Sequence, residues 1–222
     1  MILRNNMCII ENAFTDDEVE QIKRVAKGQE EVTAMIGDPG SGGADDAQVR
    51  SGKVKWFVNQ NMQNSIPDVY DKLFKLIEEA NASSEWNHNI EFVENLQYTI
   101  YNAPAKTKKK KGDFYTWHTD SGPEPLPNGK IRKLSLSVQL SDPEEYEGGN
   151  FQWLEPTELL NGMGKGLGMR LDMNHAVRTV PFSGKAKGTC IIFPSFTYHQ
   201  VTPVTHGTRE ALVGWFAGDT YV

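Results

Sequence analysis

From about position 82 onward the chain is a succession of short apolar or alternating segments, each cut off by turn residues. IEFVENLQYTIYNA, LSLSVQLS, GNFQWL, TCIIFPSF and ALVGWFAG carry the β-branched and aromatic residues that suit a pleated, half-buried surface. The N-terminal part differs. Thr15 is a good N-cap with Glu18 three positions on, Val19, Ile22 and Val25 recur at helical spacing, and Gly28 is a stop. Pro67 opens a second helix with Val69, Leu73, Leu76 and Ile77 on one face. The short runs 7–10 and 54–58 read as strands. Two helices followed by many antiparallel-type strands predict an α+β chain built on a β-sandwich or jelly roll. A length of 222 residues fits one domain, with 1–90 as a helical support region and 91–222 as the jelly-roll core.

Charge narrows the partners. The formal net charge of -6 argues against general affinity for nucleic acid through phosphate contacts, while leaving room for a local basic pocket. Cys8 and Cys190 have no close spacing, which fits a reducing compartment, although one bridge between them stays open. The N-terminus lacks the apolar run of a signal peptide, and no stretch approaches the ~18 apolar residues of a membrane span. The expectation is a cytoplasmic protein without membrane or nucleic-acid partners.

The segment FYTWHTD, 114–120, carries the first chemical signal. In a strand, positions i and i+2 share a face, so the His118 imidazole and the Asp120 carboxylate meet the same neighbours. A lone His-x-Asp pair is as well explained by a surface hydrogen bond. The signal sharpens with FPSFTYHQVTPVTHGTREALVGW, in which His199 ends one strand and Arg209 begins the next. Pro203 and Gly207 suit a turn between them. A hairpin centred near Val204 would make His199 and Arg209 near cross-strand neighbours. His118, Asp120 and His199 then form a two-histidine, one-carboxylate facial triad with open positions, the arrangement of non-haem Fe(II) oxygenases. The arginine fork beside it suits a second carboxylate. Together they describe a site for a dicarboxylic keto acid. His88 and His206 read as turn residues, and His175 is the rival ligand that sequence context disfavours.

Three loops frame this constellation. Residues 37–52, rich in Gly, Asp and Ser, read equally as a linker or a lid. The lysine run at 106–112 reads as a solvated hairpin loop, with an electrostatic guide for an acidic substrate as the alternative. Residues 161–181 read as an insertion between strands.

At this point the sequence resembles the Fe(II)/2-oxoglutarate-dependent dioxygenases of the prolyl 4-hydroxylase-like group, and most of all the bacterial and phage PKHD-type hydroxylases. LQYTIY, FYTWHTD, RKLSLSVQLSDPEEYEGGNFQW, KGTCIIFPSFTYHQVTPVTHGTREALVGW and the earlier RSGKVKWFV and IPDVYDKLFKLIEEAN carry the resemblance, in order, over almost the whole chain. It implies a double-stranded β-helix (jelly-roll) core, Fe(II) held by His118, Asp120 and His199, and 2-oxoglutarate as co-substrate with its C5 carboxylate on Arg209. It also places Tyr101, Tyr115 and Gln139 around the co-substrate, and brings ascorbate as an accessory. The implied reaction consumes O2 and 2-oxoglutarate, releases succinate and CO2, and hydroxylates a C–H bond of a protein or peptide substrate such as a peptidyl proline, or of a free amino acid or small metabolite. Asp120 argues against halogenation, because related halogenases lack the carboxylate. One departure stands out: relatives often carry Ser or Thr two residues after the arginine, where this chain has Ala211. Two readings from other classes remain, a jelly-roll binding module with structural histidines and a zinc hydrolase, in which Arg209 has no clear task.

Overall fold

The computed structural model describes residues 5–35, 47–58, 65–105, 111–155 and 176–220. Residues 37–46 of the 37–52 loop, read as a linker or a lid, the lysine run at 106–110, most of the insertion and His175 lie outside the described residues. Two helices form where expected. Helix α1 (Asp16–Lys27) starts at a complete capping box, in which the Glu18 backbone N–H donates to Thr15 Oγ1 and Thr15 N–H donates to Glu18 Oε2 at 2.7 Å. Gly28 closes it. Helix α2 (Pro67–Ser83) starts with Pro at its first position and buries Val69, Tyr70, Leu73, Leu76, Ile77 and Ala80.

The strands form two antiparallel sheets. The larger contains β1 (Cys8–Ile10), β2 (Val32–Thr33), β4 (Lys53–Phe57), β5 (Phe92–Val93), β6 (Leu96–Asn102), β8 (Ile131–Gln139), β9 (Tyr146–Gly148), β12 (Cys190–Pro194) and β14 (Val204–Gly218). Its main path runs β1-β12-β8-β14-β6-β4-β2, with β5 and β9 paired to β14. The smaller runs β11-β10-β13-β7-β3, from β3 (Arg50–Ser51), β7 (Phe114–His118), β10 (Phe151–Leu154), β11 (Val177–Thr179) and β13 (His199–Val201). This is the jelly-roll architecture, as two facing sheets rather than a closed barrel. The described residues of 1–90 include the helices α1 and α2 and also four strands, β1–β4. Among the described residues no helix is long and apolar enough to cross a membrane.

Period-two alternation divides the large sheet into two faces. Leu96 and Tyr98 of β6, Leu134, Leu136 and Val138 of β8, Cys190 and Ile192 of β12, and Leu212 and Phe216 of β14 pack with the buried faces of α1 and α2. Each fully buried Leu, Ile or Phe there contributes about 1.5–3 kcal/mol. The alternate residues face the small sheet, where Tyr101, Ile191 and Phe193 cluster with Phe151 and Val201 of that sheet and with Val204 at the start of β14.

One expectation from sequence is corrected. β13 and β14 do not form a hairpin. β13 pairs with β10 and β7 in the small sheet, whereas β14 pairs with β6, β8, β5 and β9. The chain changes sheets at Thr202 and Pro203. Thr202 N–H donates to Asn150 O at 2.9 Å and Val204 N–H to Asp113 O at 3.0 Å, so the backbone there is tied to other segments instead of to itself. His199 and Arg209 are therefore not cross-strand neighbours; they face each other from opposite sheets.

Candidate active site

His199, at the start of β13, is the direct register partner of His118 on β7. Asp120 lies just beyond the end of β7, held where its N–H donates to Ser195 O at 2.9 Å. His118 Nε2 lies 3.6 Å from Asp120 Oδ1, and His199 Nε2 lies 3.8 Å from Asp120 Oδ2. One ligand atom from each of the three can be chosen so that all lie within 4.8 Å of one another.

The tautomers follow from geometry. His118 Nδ1–H donates to Thr116 O at 2.7 Å, and His199 Nδ1–H donates to Thr197 O at 2.8 Å. A carbonyl only accepts, so Nδ1 carries a proton in both rings, and in the neutral form of each ring the Nε2 lone pair is left towards Asp120. Burial and ring packing fix the orientations. His118 stacks on Tyr115 with centroids 3.5 Å apart, and His199 lies between Phe151 and Phe193 at 5.2 and 4.7 Å. Burial lowers the His199 pKa to about 4, against the opposing pull of Asp120, so its imidazole is neutral near pH 7. Burial by itself would raise Asp120, but His199, His118 and a hydrogen bond from Ser135 overcome it and hold the carboxyl well below the usual range. Two imidazole nitrogens and one carboxylate make a donor set suited to a divalent first-row metal.

The triad opens into a cavity of about 1210 Å³, also lined by Tyr101, Tyr115 and Arg209. That exceeds the usual volume of a single small-molecule pocket, about 300–1,000 Å³. Arg209 is 2% exposed, yet no carboxylate faces it among the described residues. Its partners are neutral: Nη2 donates to Gln139 Oε1 at 2.9 Å, Tyr146 is within hydrogen-bonding reach, and the Tyr101 ring lies 5.7 Å from Cζ. An unpaired buried guanidinium is costly unless an anion joins it. Gly149 lets it lie there, since a Cβ at that position would come within 2.8 Å of Arg209 Cδ.

Of the residues singled out from sequence, His118, Asp120, His199, Arg209, Tyr101 and Tyr115 line the one cavity. Gln139 does not reach its wall and instead contacts Arg209 from behind, with Nε2 donating to Ser137 Oγ at 3.2 Å. Sequence reading missed the cavity's other charged groups. Arg132 makes a two-pronged pair with Glu94 at 2.6 and 2.7 Å and lies over Trp215 at 4.4 Å. Arg50 enters from β3. Their only signal in sequence is a charge inside or beside a strand-like run.

A two-sheet jelly roll with a His-x-Asp…His cluster and an unpaired arginine in one cavity defines a class, the non-haem metal oxygenase fold. The model of the 2OG-Fe(II) oxygenase superfamily matches residues 96–217, and the chain belongs to that family. Among curated relatives, a PKHD-type hydroxylase of Sphingopyxis alaskensis is 27% identical over 68% of this chain and 58% of its own length. A PKHD-type hydroxylase of Prochlorococcus marinus is 34% identical over 49% of this chain and 38% of its own. The chain thus spans about half the length of the curated relatives it matches. In structure it resembles the viral collagen prolyl hydroxylase of Paramecium bursaria Chlorella virus-1, with a TM-score of 0.60, 20% identity and 97% of each chain covered. It also resembles a Pseudomonas putida prolyl-4-hydroxylase, with a TM-score of 0.58, 15% identity and 98% and 95% covered. The family's Fe(II) and 2-oxoglutarate match the chemistry of the donor set and of the unpaired arginine.

Proposed function

We propose that the protein is an Fe(II)- and 2-oxoglutarate-dependent dioxygenase that hydroxylates a C–H bond of a peptidyl residue such as proline, releasing succinate and CO2. The observation that carries this reading is the convergence, from opposite sheets, of three side chains able to ligate a metal and the buried Arg209 guanidinium, which no carboxylate faces among the described residues, on a single cavity. His118, Asp120 and His199 hold the iron, and Arg209 takes the far carboxylate of 2-oxoglutarate. Tyr101 and Tyr115 pack beside the co-substrate, and Gln139 steers Arg209. When bound, the iron couples O2 activation to decarboxylation of 2-oxoglutarate. The chain's own residues orient the reactants and exclude water: Tyr115, Phe151 and Phe193 wall the ligands with apolar rings. The cavity's remaining volume, lined by Trp56 and Trp215 on one side and the 121–127 loop on the other, receives the primary substrate. A peptide substrate is supported by the hydroxylase relatives and by structural likeness to a Trichoplax adhaerens prolyl hydroxylase solved with a peptide fragment of hypoxia inducible factor, at a TM-score of 0.62 and 17% identity over 96% of this chain.

The test is anaerobic titration of Fe(II) and 2-oxoglutarate into metal-free protein. A visible charge-transfer band that is lost in folded His118→Ala is the expected result. No band and no 2-oxoglutarate binding in the wild type would leave a binding module.

A further inference from the structure

Arg50 is a second buried guanidinium in the same cavity. It is 8% exposed and sits on the two-residue strand β3, in register with Tyr115. Nη1 donates to Met35 O at 2.8 Å and Nη2 to Gln97 Oε1 at 2.6 Å. Both acceptors are neutral. Nε–H is buried with no acceptor, and no carboxylate faces Arg50 among the described residues. Its Cζ lies 4.6 Å from the centroid of the Tyr115 ring, which in turn stacks on His118 at 3.5 Å. The guanidinium is therefore one aromatic ring away from the metal ligands.

Charge balance shows what is missing, and this step rests on the function proposed above. Asp120 and the two carboxylates of 2-oxoglutarate balance a divalent metal and the Arg209 guanidinium. Arg132 is balanced by Glu94. Glu124, the other acid on the cavity wall, is exposed to water on the 121–127 loop. Among the described residues, one buried positive charge on the cavity wall, Arg50, is left over. Neutral oxygens satisfy some of its N–H groups but do not return the solvation a cation loses on burial, which is several kcal/mol. A carboxylate would return it, and the guanidinium fork matches one. We propose that the primary substrate carries a single carboxylate, bound by Arg50, while its reacting C–H bond lies over the His118–Asp120–His199 centre. A group held one ring away from the metal ligands is placed to fix the position of a short substrate without entering the metal's own coordination sphere.

The experiment uses full-length protein, loaded anaerobically with Mn(II) and saturating 2-oxoglutarate. Binding of 2-oxoglutarate is measured first, so failure of the function itself is read separately. The probe is acetate, with neutral acetamide as its isosteric control, at constant ionic strength. Expected is a saturable rise in Tm with acetate and none with acetamide, and excess Mn(II)-induced broadening of the acetate methyl resonance. In Arg50→Met the half-effect concentration should rise at least about tenfold, the loss expected for one charge-assisted hydrogen bond, whereas Arg50→Lys should fall between. No acetate-specific effect in the wild type, or an undiminished one in Arg50→Met, would overturn the proposal. Should Arg50→Met not fold, the broadening in wild type and its change in Arg50→Lys decide alone. N-acetyl-L-proline, with a free terminal carboxylate, and N-acetyl-aspartyl-prolinamide, with a side-chain one, then show which position the carboxylate occupies. An Arg50-dependent shift with either supports the proposal; with neither, it fails.

Discussion

Replacing Arg209 by Met removes the guanidinium while keeping most of its volume. If Arg209 holds the far carboxylate of 2-oxoglutarate, the variant leaves that carboxylate buried beside neutral groups. Truncating one partner of a buried, hydrogen-bonded charge pair costs about 2–5 kcal/mol. At about 1.4 kcal/mol per tenfold, that is a weakening of about 30-fold to several thousandfold. The 2% exposure of Arg209 argues for the upper part of this range, because little water can replace the lost donor. Tyr146 works the other way, since its hydroxyl is already at the guanidinium and can donate to the carboxylate. The net expectation is about 100-fold weaker 2-oxoglutarate binding. Arg209→Lys keeps the charge but loses the fork, so a smaller loss, about tenfold, is expected. Metal affinity should be nearly unchanged in both, because Arg209 ligates nothing and stands on the opposite sheet. The assay is anaerobic titration of 2-oxoglutarate into Fe(II)-loaded protein, with metal affinity measured separately. Wild-type 2-oxoglutarate affinity in Arg209→Met would refute the carboxylate assignment, and loss of metal binding would show that Arg209 acts by holding the fold.

Gly149→Ala tests the same assignment from behind. With φ at 55° and a Cβ 2.8 Å from Arg209 Cδ and 3.0 Å from Val204 Cγ2, the new methyl should displace the guanidinium, weakening 2-oxoglutarate while metal binding persists. Destabilisation of about 1–2 kcal/mol is expected from the left-handed backbone, read by urea unfolding, and a stability loss with unchanged 2-oxoglutarate affinity would count against the contact. The metal-free protein should also lose stability on mild acidification. His199 is held at about 4, below its ordinary 6.5, mainly by burial, and burial lowers His88 in the same direction. Between the two His199 values the unfolded chain binds a proton that the folded chain refuses, so this stability is complete above about pH 6.5 and declines as pH falls towards 4. Equal urea midpoints at pH 7 and pH 5 would contradict a neutral, buried His199.

The local part of this fold was written in the sequence. The Thr15–Glu18 box, the helical spacing of Val69 and Leu73, and the period-two alternation of LSLSVQLS each depend on neighbours a few residues away. So did the candidate ligands, which were found by residue type. What sequence spacing did not carry was which sheet a strand joins. Alternation reports the face a side chain takes, not the strand beside it, and a short gap such as Thr202–Pro203 serves a hairpin or a crossover alike. The expected closeness of His199 and Arg209 survived only as proximity across a cavity. Arg50 escaped notice because a two-residue strand leaves no periodicity, and its meaning comes from Tyr115 and Gln97, far away in the chain. Gln139 was expected beside the co-substrate, and its placement behind Arg209 depends on where Ser137 and Ala211 stand.

The departure at Ala211 also changes meaning when the sheet is read across its strands. Along β14, the alanine two residues after Arg209 is a lost hydroxyl. Across the sheet, Ala211 stands between Thr99 of β6 and Gln139 of β8, and Ser137 is one position further along the same face of β8. Thr99 and Ser137 both line the cavity, and Thr99 is 1% exposed. Directly opposed residues on adjacent strands have Cβ atoms only about 4.5–5.5 Å apart, so a hydroxyl moved from one strand to the next stays within reach of the same ligand oxygen after a small change of rotamer. The small Ala211 side chain keeps the space between them open. A sheet floor is therefore constrained by what a row presents to the cavity more than by what any one column position contains. A motif read along a single strand can lose a residue whose function the neighbouring strands retain.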